Sequence, residues 1–227
     1  MQNSSKQVVL ELIGRLQPKS ILDVPSGDSW LANSLEGSIP IDGIDLYKPK
    51  NKLYRKWECL DLNDGIPDGF GKYDCIVSCE GLEHFGNPEL FLRTAFSCLN
   101  EKGTLLITTP NIWNPQSRLQ YMLRGFFPGF PSLAGKITKG EHMHIIPWSF
   151  PQLYLFFKLN DFSEIHLHNE PLSEPGHFYE RIFGLPQSIY CRRKGRKAKS
   201  EEEKIFWGMA ASKESLYGRH LIITAVK

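Results

Sequence analysis

The sequence predicts an α/β fold built on a doubly wound parallel sheet with helices on both faces. Between residues 20 and 111, apolar runs of strand length alternate with segments of helical period, the rhythm of repeated strand–helix units. Runs such as ILDV and DCIVSC lack the polar–apolar alternation of a half-exposed strand, so they belong to strands covered on both sides. At 227 residues the chain is long enough for one domain with a full core, and no internal repeat or composition break calls for a second within 1–227.

Each element has its own signal. Ser4 and Gln7 have the spacing of a capping box, and Val9, Leu12, Ile13 and Leu16 then mark an apolar helical face that Pro18 ends. SILDVP (20–25) is the first strand. The chain turns at Gly27 and continues as a helix with Asp28 as N-cap. PIDGIDL (40–46), KWECLDL (56–62) and YDCIVSC (73–79) are the second, third and fourth strands. Asn87 as N-cap and Pro88 at the first helical position open the next helix, whose face is Leu92, Ala95, Phe96 and Leu99. GTLLITTPN (103–111) is the fifth strand. Residues 112–147, rich in aromatics, Gly and Pro, read as a lid or substrate segment. Ser149 and Gln152 form a second capping box for a helix carrying Leu153, Phe156 and Phe157, with Asn160 as its left-handed cap. SEIHLH (163–168) is strand-like, 170–217 reads as a loop-rich segment, and GRHLIITAVK (218–227) is the final strand.

Composition narrows the function. A hydrophobic content of 41% with 23% charged residues suits a globular protein in water. A formal net charge of +2 gives no bulk attraction to nucleic acid or to an anionic membrane. The six basic residues between Arg192 and Lys199 are followed at once by Glu201–Glu203, and read as a self-compensating solvated loop. Five cysteines without CxxC spacing argue for reduced thiols in a cytoplasmic protein, and against a disulfide framework or zinc ribbon. The stretch MQNSSKQVVLELIGRL lacks the layout of a signal peptide, and no run reaches the length of a membrane span.

Ligands of such sheets bind beyond the carboxyl ends of the strands, near the switch point. Asp23–Gly27, Asp45, Asp61 and Ser78–Glu80 occupy those ends. Gly27 lets a ligand approach the backbone, and Asp45 stands 18 residues beyond it, the spacing of an acid that accepts from ribose hydroxyls. Asp61 is placed to accept from an adenine amino group. In order, ILDVPSGDSWLA, IDGIDLY, LDLND, YDCIVSCEGLEH and LNEKGTLLITTPN resemble the successive motifs of class I S-adenosylmethionine-dependent methyltransferases, over roughly residues 18–168. The resemblance implies a Rossmann-like seven-stranded sheet with an antiparallel last strand, a lid insertion after strand five, and S-adenosyl-L-methionine as cofactor. It implies Asp23 near the methionine amino group, Gly27 under the cofactor, Asp45 at the ribose and Asp61 near adenine, with Pro25, Ser26, Leu46, Leu62, Ser78 and Glu80 completing the cofactor set. The first motif departs from the family's GxGxG form: Pro25-Ser26-Gly27-Asp28-Ser29 keeps only the central glycine, while the fixed φ of Pro25 and the small Ser26 keep the loop tight. A dehydrogenase would carry a fuller GxGxxG and a substrate domain, and neither is present.

CEGLEHFGNP (79–88) spaces Glu80, Glu83 and His84 at i, i+3 and i+4, on one face if helical. A metal site, an acid/base pair and the polar start of a surface helix all fit that spacing. Methyl transfer from a sulfonium requires a positioned, deprotonated nucleophile, and Glu83, His84 and His144 are the catalytic candidates. Taken with GEHMHIIPWSF (140–150), the set resembles the metal-binding arrangement of ubiquinone-pathway O-methyltransferases and small-RNA 2′-O-methyltransferases. That resemblance implies Glu80, Glu83, His84 and His142 or His144 as ligands of a divalent ion: Mg²⁺, Mn²⁺, Fe²⁺ or Zn²⁺. TTPNIWNPQSRLQYMLRGFF resembles a segment of bacterial small-molecule and glycan-pathway members. It implies Asn111, Arg118 and Tyr121 at the substrate, Arg118 and Arg124 facing an anionic group, and Trp113, Tyr121, Phe126, Phe127 and Phe130 in an apolar or sugar-stacking lid. The expected reaction is O-methylation of a hydroxyl on a small molecule or saccharide. The alternatives are N- or carboxyl-methylation of a small molecule, ribose 2′-O-methylation of RNA, which the net charge disfavours, and a non-catalytic cofactor-binding domain.

Overall fold

In the computed structural model, which describes residues 3–49, 53–128, 146–169, 171 and 173–227, seven strands form one sheet. They are β1 (Ile21–Asp23), β2 (Ile41–Asp45), β3 (Trp57–Cys59), β4 (Tyr73–Cys79), β5 (Leu99–Pro110), β6 (Ser163–Leu167) and β7 (His220–Val226). The spatial order is β3-β2-β1-β4-β5-β7-β6. Strands β1 to β5 pair in parallel, and β7 runs antiparallel to β5 and β6, as expected of the last strand. The order reverses between β1 and β4, so the ligand crevice of such a sheet opens above them.

The helices are α1 (Asn3–Leu16), α2 (Trp30–Leu35), α3 (Pro88–Cys98), α4 (Pro115–Arg124), α5 (Phe150–Leu159), α6 (Phe178–Arg196), α7 (Glu201–Ala210) and α8 (Lys213–Tyr217). Successive strand residues point to opposite faces. Leu22, Ile44, Ile76 and Ile107 therefore pack with Phe91 and Leu92 of α3 and Phe157 of α5. Ile21, Ile41, Val77 and Leu106 pack with Val9, Leu12 and Ile13 of α1 and Leu31 of α2. Two apolar layers explain why the strands read as unbroken apolar runs.

Local readings change at several ends. α1 begins at Asn3, so Ser4 lies inside it, and Gln7 donates to Glu11 instead of closing a capping box. The N-cap of α2 is Ser29, at φ 62; Asp28 instead accepts from the Trp30 amide at 3.2 Å. Asn87 and the Ser149–Gln152 box cap α3 and α5 as expected. Asn160 sits at φ −107, and the left-handed residue is Asp161 at φ 64. β3 is shorter than its apolar run, and Leu62–Asp64 forms a 3-10 turn. The largest correction concerns 170–217: the expected loop-rich segment carries α6, α7 and α8, and the basic run of 192–199 is exposed but begins on the last turns of α6, with only Lys197 and Lys199 in the connection beyond it. Gly184, Pro186 and Gly195 interrupt the helical pattern of α6, and Gly184 is where it meets α8: a Cβ there would lie 2.4 Å from the Tyr217 ring.

Arg219 fastens these helices to the sheet. It donates to Glu180 of α6 at 2.6 Å and to Asn114, the N-cap of α4, at 3.1 Å. Glu180 is buried and also accepts from the Gly176 and His177 amides. Burial pushes its carboxyl upward, but the Arg219 and backbone hydrogen bonds outweigh it and hold the carboxyl below its ordinary value. Arg219→Met leaves a buried carboxylate without its cation, and we expect a loss of about 3 kcal/mol in urea unfolding at neutral pH. Because the folded-state carboxyl is depressed, this stabilisation is present above the ordinary carboxylate range and lost as pH falls through the folded value, so the difference between variant and wild type should shrink in acid.

Candidate active site

The loop after β1 is held by the end of β2. The Ser26 amide donates to Ile44 O at 2.9 Å, and the Ser26 hydroxyl accepts from the Trp57 indole at 3.1 Å. The Gly27 amide donates to Asp45 Oδ2 at 2.7 Å, while Asp45 Oδ1 accepts from the Tyr47 amide at 2.9 Å. Gly27 adopts φ +51, and no atom lies within 4 Å of the position a Cβ would take, so its backbone borders open space. Pro25 abuts the segment after β4: a Cβ on Gly81 would lie 2.2 Å from Pro25 Cδ.

The other strand-end residues follow. Asp23 is buried and accepts from the Tyr54 hydroxyl at 2.7 Å. Burial pushes its carboxyl up to about 7 against the pull of that hydrogen bond, with the Asp45 and Asp28 charges adding to the rise. Asp61 caps the 3-10 turn by accepting from the Asn63 amide, and Leu62 beneath it is core. Leu46 and Tyr47 are exposed at the rim. The Ser78 hydroxyl is buried without a hydrogen-bond partner among the described residues. An open glycine backbone, exposed apolar groups at the rim and a buried hydroxyl lacking a partner together fit an adenosyl cofactor.

Glu80, Glu83 and His84 do not share a helical face. β4 ends at Cys79, Glu80 sits at φ 52, and only Leu82–His84 forms a short 3-10 turn. Glu80 Oε1 accepts from the Thr108 hydroxyl at 3.1 Å, and Oε2 lies 3.6 Å from His220 Nε2. Glu83 Oε2 accepts from the Thr109 hydroxyl at 2.9 Å. Thr108 and Thr109 are consecutive strand residues, so the two glutamates are tied to opposite faces of the sheet's edge. Among the described residues no group of three His, Cys, Asp or Glu side chains is set to hold a metal ion. His142 and His144 lie outside the described residues. His84 is half-buried, with its amide donating to Gly81 O.

Glu83 sits deepest of the three. It is 2% exposed, and among the described residues its Oε1 has no hydrogen-bond partner. Burial, and then the charge of Glu80, push its carboxyl up to about 8. Its backbone carbonyl accepts from the Ile146 amide at 3.1 Å, and Trp148 O accepts from the Ile112 amide at 2.9 Å. These bonds gather Glu83, Ile112, Phe127, Ile146 and Trp148 around one cleft beyond β5. The Trp148 indole N–H is also buried, with no partner among the described residues.

The proposed substrate residues divide. Asn111 is buried, and both hydrogens of its amide are taken by Ser215 O and Gly218 O, so it is a clamp between β5 and α8 instead of a surface for substrate. Arg118 donates to Trp113 O and Phe183 O, tying α4 to α6, and burial lowers its pKa. Arg124 lies over the Phe126 ring. Tyr121 stacks at 4.3 Å on Phe127, a cleft residue, whereas Trp113 packs on the core and Phe130 lies outside the described residues. Two site residues escaped the sequence reading. Trp148 stood beside the capping box, a detectable signal; His220 had none, because its partner Glu80 meets it only through the register that sets His220 opposite Pro110.

The chain is similar to known proteins. The family model described as a methyltransferase domain matches residues 1–152. The ubiquinone biosynthesis O-methyltransferase of Bordetella avium (strain 197N) is 26% identical over 133 residues, 51% of this chain and 55% of the relative. The mitochondrial ubiquinone biosynthesis O-methyltransferase of Rattus norvegicus is 27% identical over 141 residues, 56% and 39% of the two chains. The aligned region thus spans about half of those relatives' length or less. Among solved structures, an S-adenosylmethionine-dependent methyltransferase from Archaeoglobus fulgidus superposes with a TM-score of 0.57 at 13% identity, covering 97% of this chain and 94% of that one. The Burkholderia thailandensis 1,6-didemethyltoxoflavin-N1-methyltransferase, with bound 1,6-didemethyltoxoflavin and S-adenosylhomocysteine, gives 0.55 at 13% identity, covering 99% and 78%. At such identities the likeness is one of fold.

Proposed function

Because the chain belongs to the methyltransferase domain family and is a class I S-adenosylmethionine-dependent methyltransferase, we propose that it methylates a hydroxyl oxygen of a small molecule or saccharide bound between Glu83 and Trp148. The observation that carries this reading is that Glu83 and Trp148 both line the cleft and each holds a buried polar atom, Glu83 Oε1 and the Trp148 indole N–H, without a partner among the described residues. An unsatisfied buried polar group costs about 1–3 kcal/mol. A ligand hydroxyl that reached both would relieve them, its oxygen accepting from Trp148 while its hydrogen donates to Glu83.

S-adenosylmethionine, when bound, supplies a methyl group made electrophilic by the sulfonium. Asp23, Ser26, Gly27 and Asp45 would hold it, with Leu46 and Ser78 beside them. Glu83 takes the proton of the acceptor hydroxyl at Oε1, because the Thr109 hydroxyl engages Oε2. A carboxyl raised to about 8 is a far stronger base than an ordinary one and still ionises near neutral pH. Phe127, Ile112 and Ile146 give the cleft apolar walls, a setting that favours the neutral carboxyl. A carboxylate acceptor would bring a second negative charge against Glu83, and an amine with a free lone pair has less need of a base, so the setting favours a hydroxyl. The O-methyltransferase relatives support the same choice.

The test is incubation with S-adenosylmethionine labelled in the methyl group and a panel of phenols, sugars, amines and carboxylic acids, repeated in EDTA. Label in an ether, undiminished by the chelator, is the expected result. Label in an amine or ester, or turnover lost in EDTA and restored by Mg²⁺, Mn²⁺ or Zn²⁺, would overturn the reading.

A further inference from the structure

A surface helix ordinarily turns its apolar stripe inward. α6 does the reverse. Phe178, Ile182, Leu185 and Ile189 are 78, 55, 56 and 42% exposed. Their spacing of i, i+4, i+7 and i+11 sets them on one line along the helix. Arg192, Arg193 and Arg196 continue that line to the helix end, all exposed. The opposite face anchors α6 to the fold through Glu180 with Arg219, Gly184 against Tyr217, and the buried Cys191.

The arginines have no acidic neighbour to neutralise them. Among the described residues none supplies a carboxylate to Arg192, Arg193 or Arg196, and the nearby Glu201 and Glu202 pair with Lys204 and Lys158. α4, joined to α6 by the Arg118–Phe183 hydrogen bond, adds Met122 and Leu123, 67 and 73% exposed. From α4 the chain runs directly to Phe127 on the cleft.

We propose that the outward faces of α6 and α4 form a docking surface for an anionic lipid bilayer, with the apolar stripe entering the acyl boundary and the arginines meeting headgroup phosphates. An apolar line flanked by basic side chains is the composition of helices that lie in a membrane interface. Surface attachment is the form required, since no helix among the described residues is long and apolar enough to cross a membrane. A second copy of the chain is the poorer occupant, because these faces of α4 and α6 offer no carboxylate to its arginines: α4 has no acidic residue, and Glu180, the one acid of α6, is held by Arg219 on the opposite face. The inference does not depend on the acceptor, because vesicle binding needs no turnover.

The experiment is co-sedimentation of the full chain with phosphatidylcholine vesicles with and without phosphatidylglycerol, at low and high salt. Binding to the phosphatidylglycerol vesicles, weakened by salt, is expected. Each arginine near the surface is worth roughly fivefold in partitioning, so the combined Arg192→Glu, Arg193→Glu and Arg196→Glu variant should bind at least about a hundredfold more weakly. The combined Ile182→Ser and Leu185→Ser variant should lose about tenfold. Both sets change exposed side chains, and unchanged S-adenosylhomocysteine affinity verifies that the fold is intact. Failure to sediment with phosphatidylglycerol vesicles would overturn the proposal, as would equal binding to neutral vesicles that ignores the arginines. A dimer dispersed by Ile182→Ser and Leu185→Ser without vesicle binding would assign the face to a second copy, and retention of an RNA oligonucleotide in place of vesicles would assign it to nucleic acid.

Discussion

Glu83→Gln is expected to lower kcat about 100–1,000-fold while leaving S-adenosylhomocysteine affinity within about twofold. The amide keeps the shape of the side chain and still accepts from Thr109, but it cannot take up a proton. Burial first, and the Glu80 charge second, push the wild-type carboxyl up to about 8, so most molecules carry it neutral at pH 7. The rate of the wild type should therefore climb with pH and level off above about 8, and Glu83→Gln should lack the climb. A rate that falls through that range would make Glu83 an acid and not a base. Stability follows the same titration. The unfolded carboxyl has its ordinary value of 4.5 and the folded one about 8, so the group's stabilising contribution is fully present below the first and lost as pH rises through the second. Glutamine escapes that loss, and the variant should melt above the wild type near pH 9 but level with it near pH 4.

The second large effect is expected at Gly81→Ala, which should weaken S-adenosylhomocysteine binding by at least about tenfold and cost about 2 kcal/mol of stability. The new methyl carbon would lie 2.2 Å from Pro25 Cδ and 2.8 Å from Pro25 Cγ. A proline ring is part of the backbone and has no rotamer that clears the way. The loop after β1 must move instead, and its motion breaks the Ser26–Ile44 and Gly27–Asp45 hydrogen bonds that shape the open glycine. Calorimetric titration beside a thermal melt separates the two effects. An affinity within twofold of wild type, with the melt shifted, would show that Pro25–Ser29 is not where the nucleotide is held.

Different parts of the molecule were legible in the sequence to different degrees. β4 was read to the residue, because a strand covered on both faces is an unbroken apolar run between polar ends. The Asp45 position was legible from its spacing to Gly27, although the tight backbone contact between them was not. Glu80 and Glu83 were found, but i, i+3, i+4 spacing cannot distinguish an α-helix from a left-handed residue followed by a 3-10 turn, and the structure adopts the latter. Asn111 is placed at the substrate by the family resemblance alone; two carbonyls from much later in the chain claim its amide, a contact no local pattern records. The reading of 170–217 as loop-rich has a physical reason: the glycines and proline of α6 depress helix propensity, and they outweighed the helical spacing of Phe178, Ile182, Leu185 and Ile189.

The place of β7 in the sheet has a consequence for synthesis. Among the described residues β6 pairs with β7, and β7 lies between it and β5. A ribosome makes β6 first, then α6, α7 and α8, and only afterwards the strand that joins β6 to the rest. Until then the edges of β5 and β6 both stand unpaired, Asn111 lacks the Gly218 carbonyl that fixes it, and Glu80 has not met His220. Assembly thus runs out of step with translation: a nascent chain stalled in α8 holds a nearly complete nucleotide crevice on an open sheet, and the closing strand inserts as a late wedge between neighbours already made.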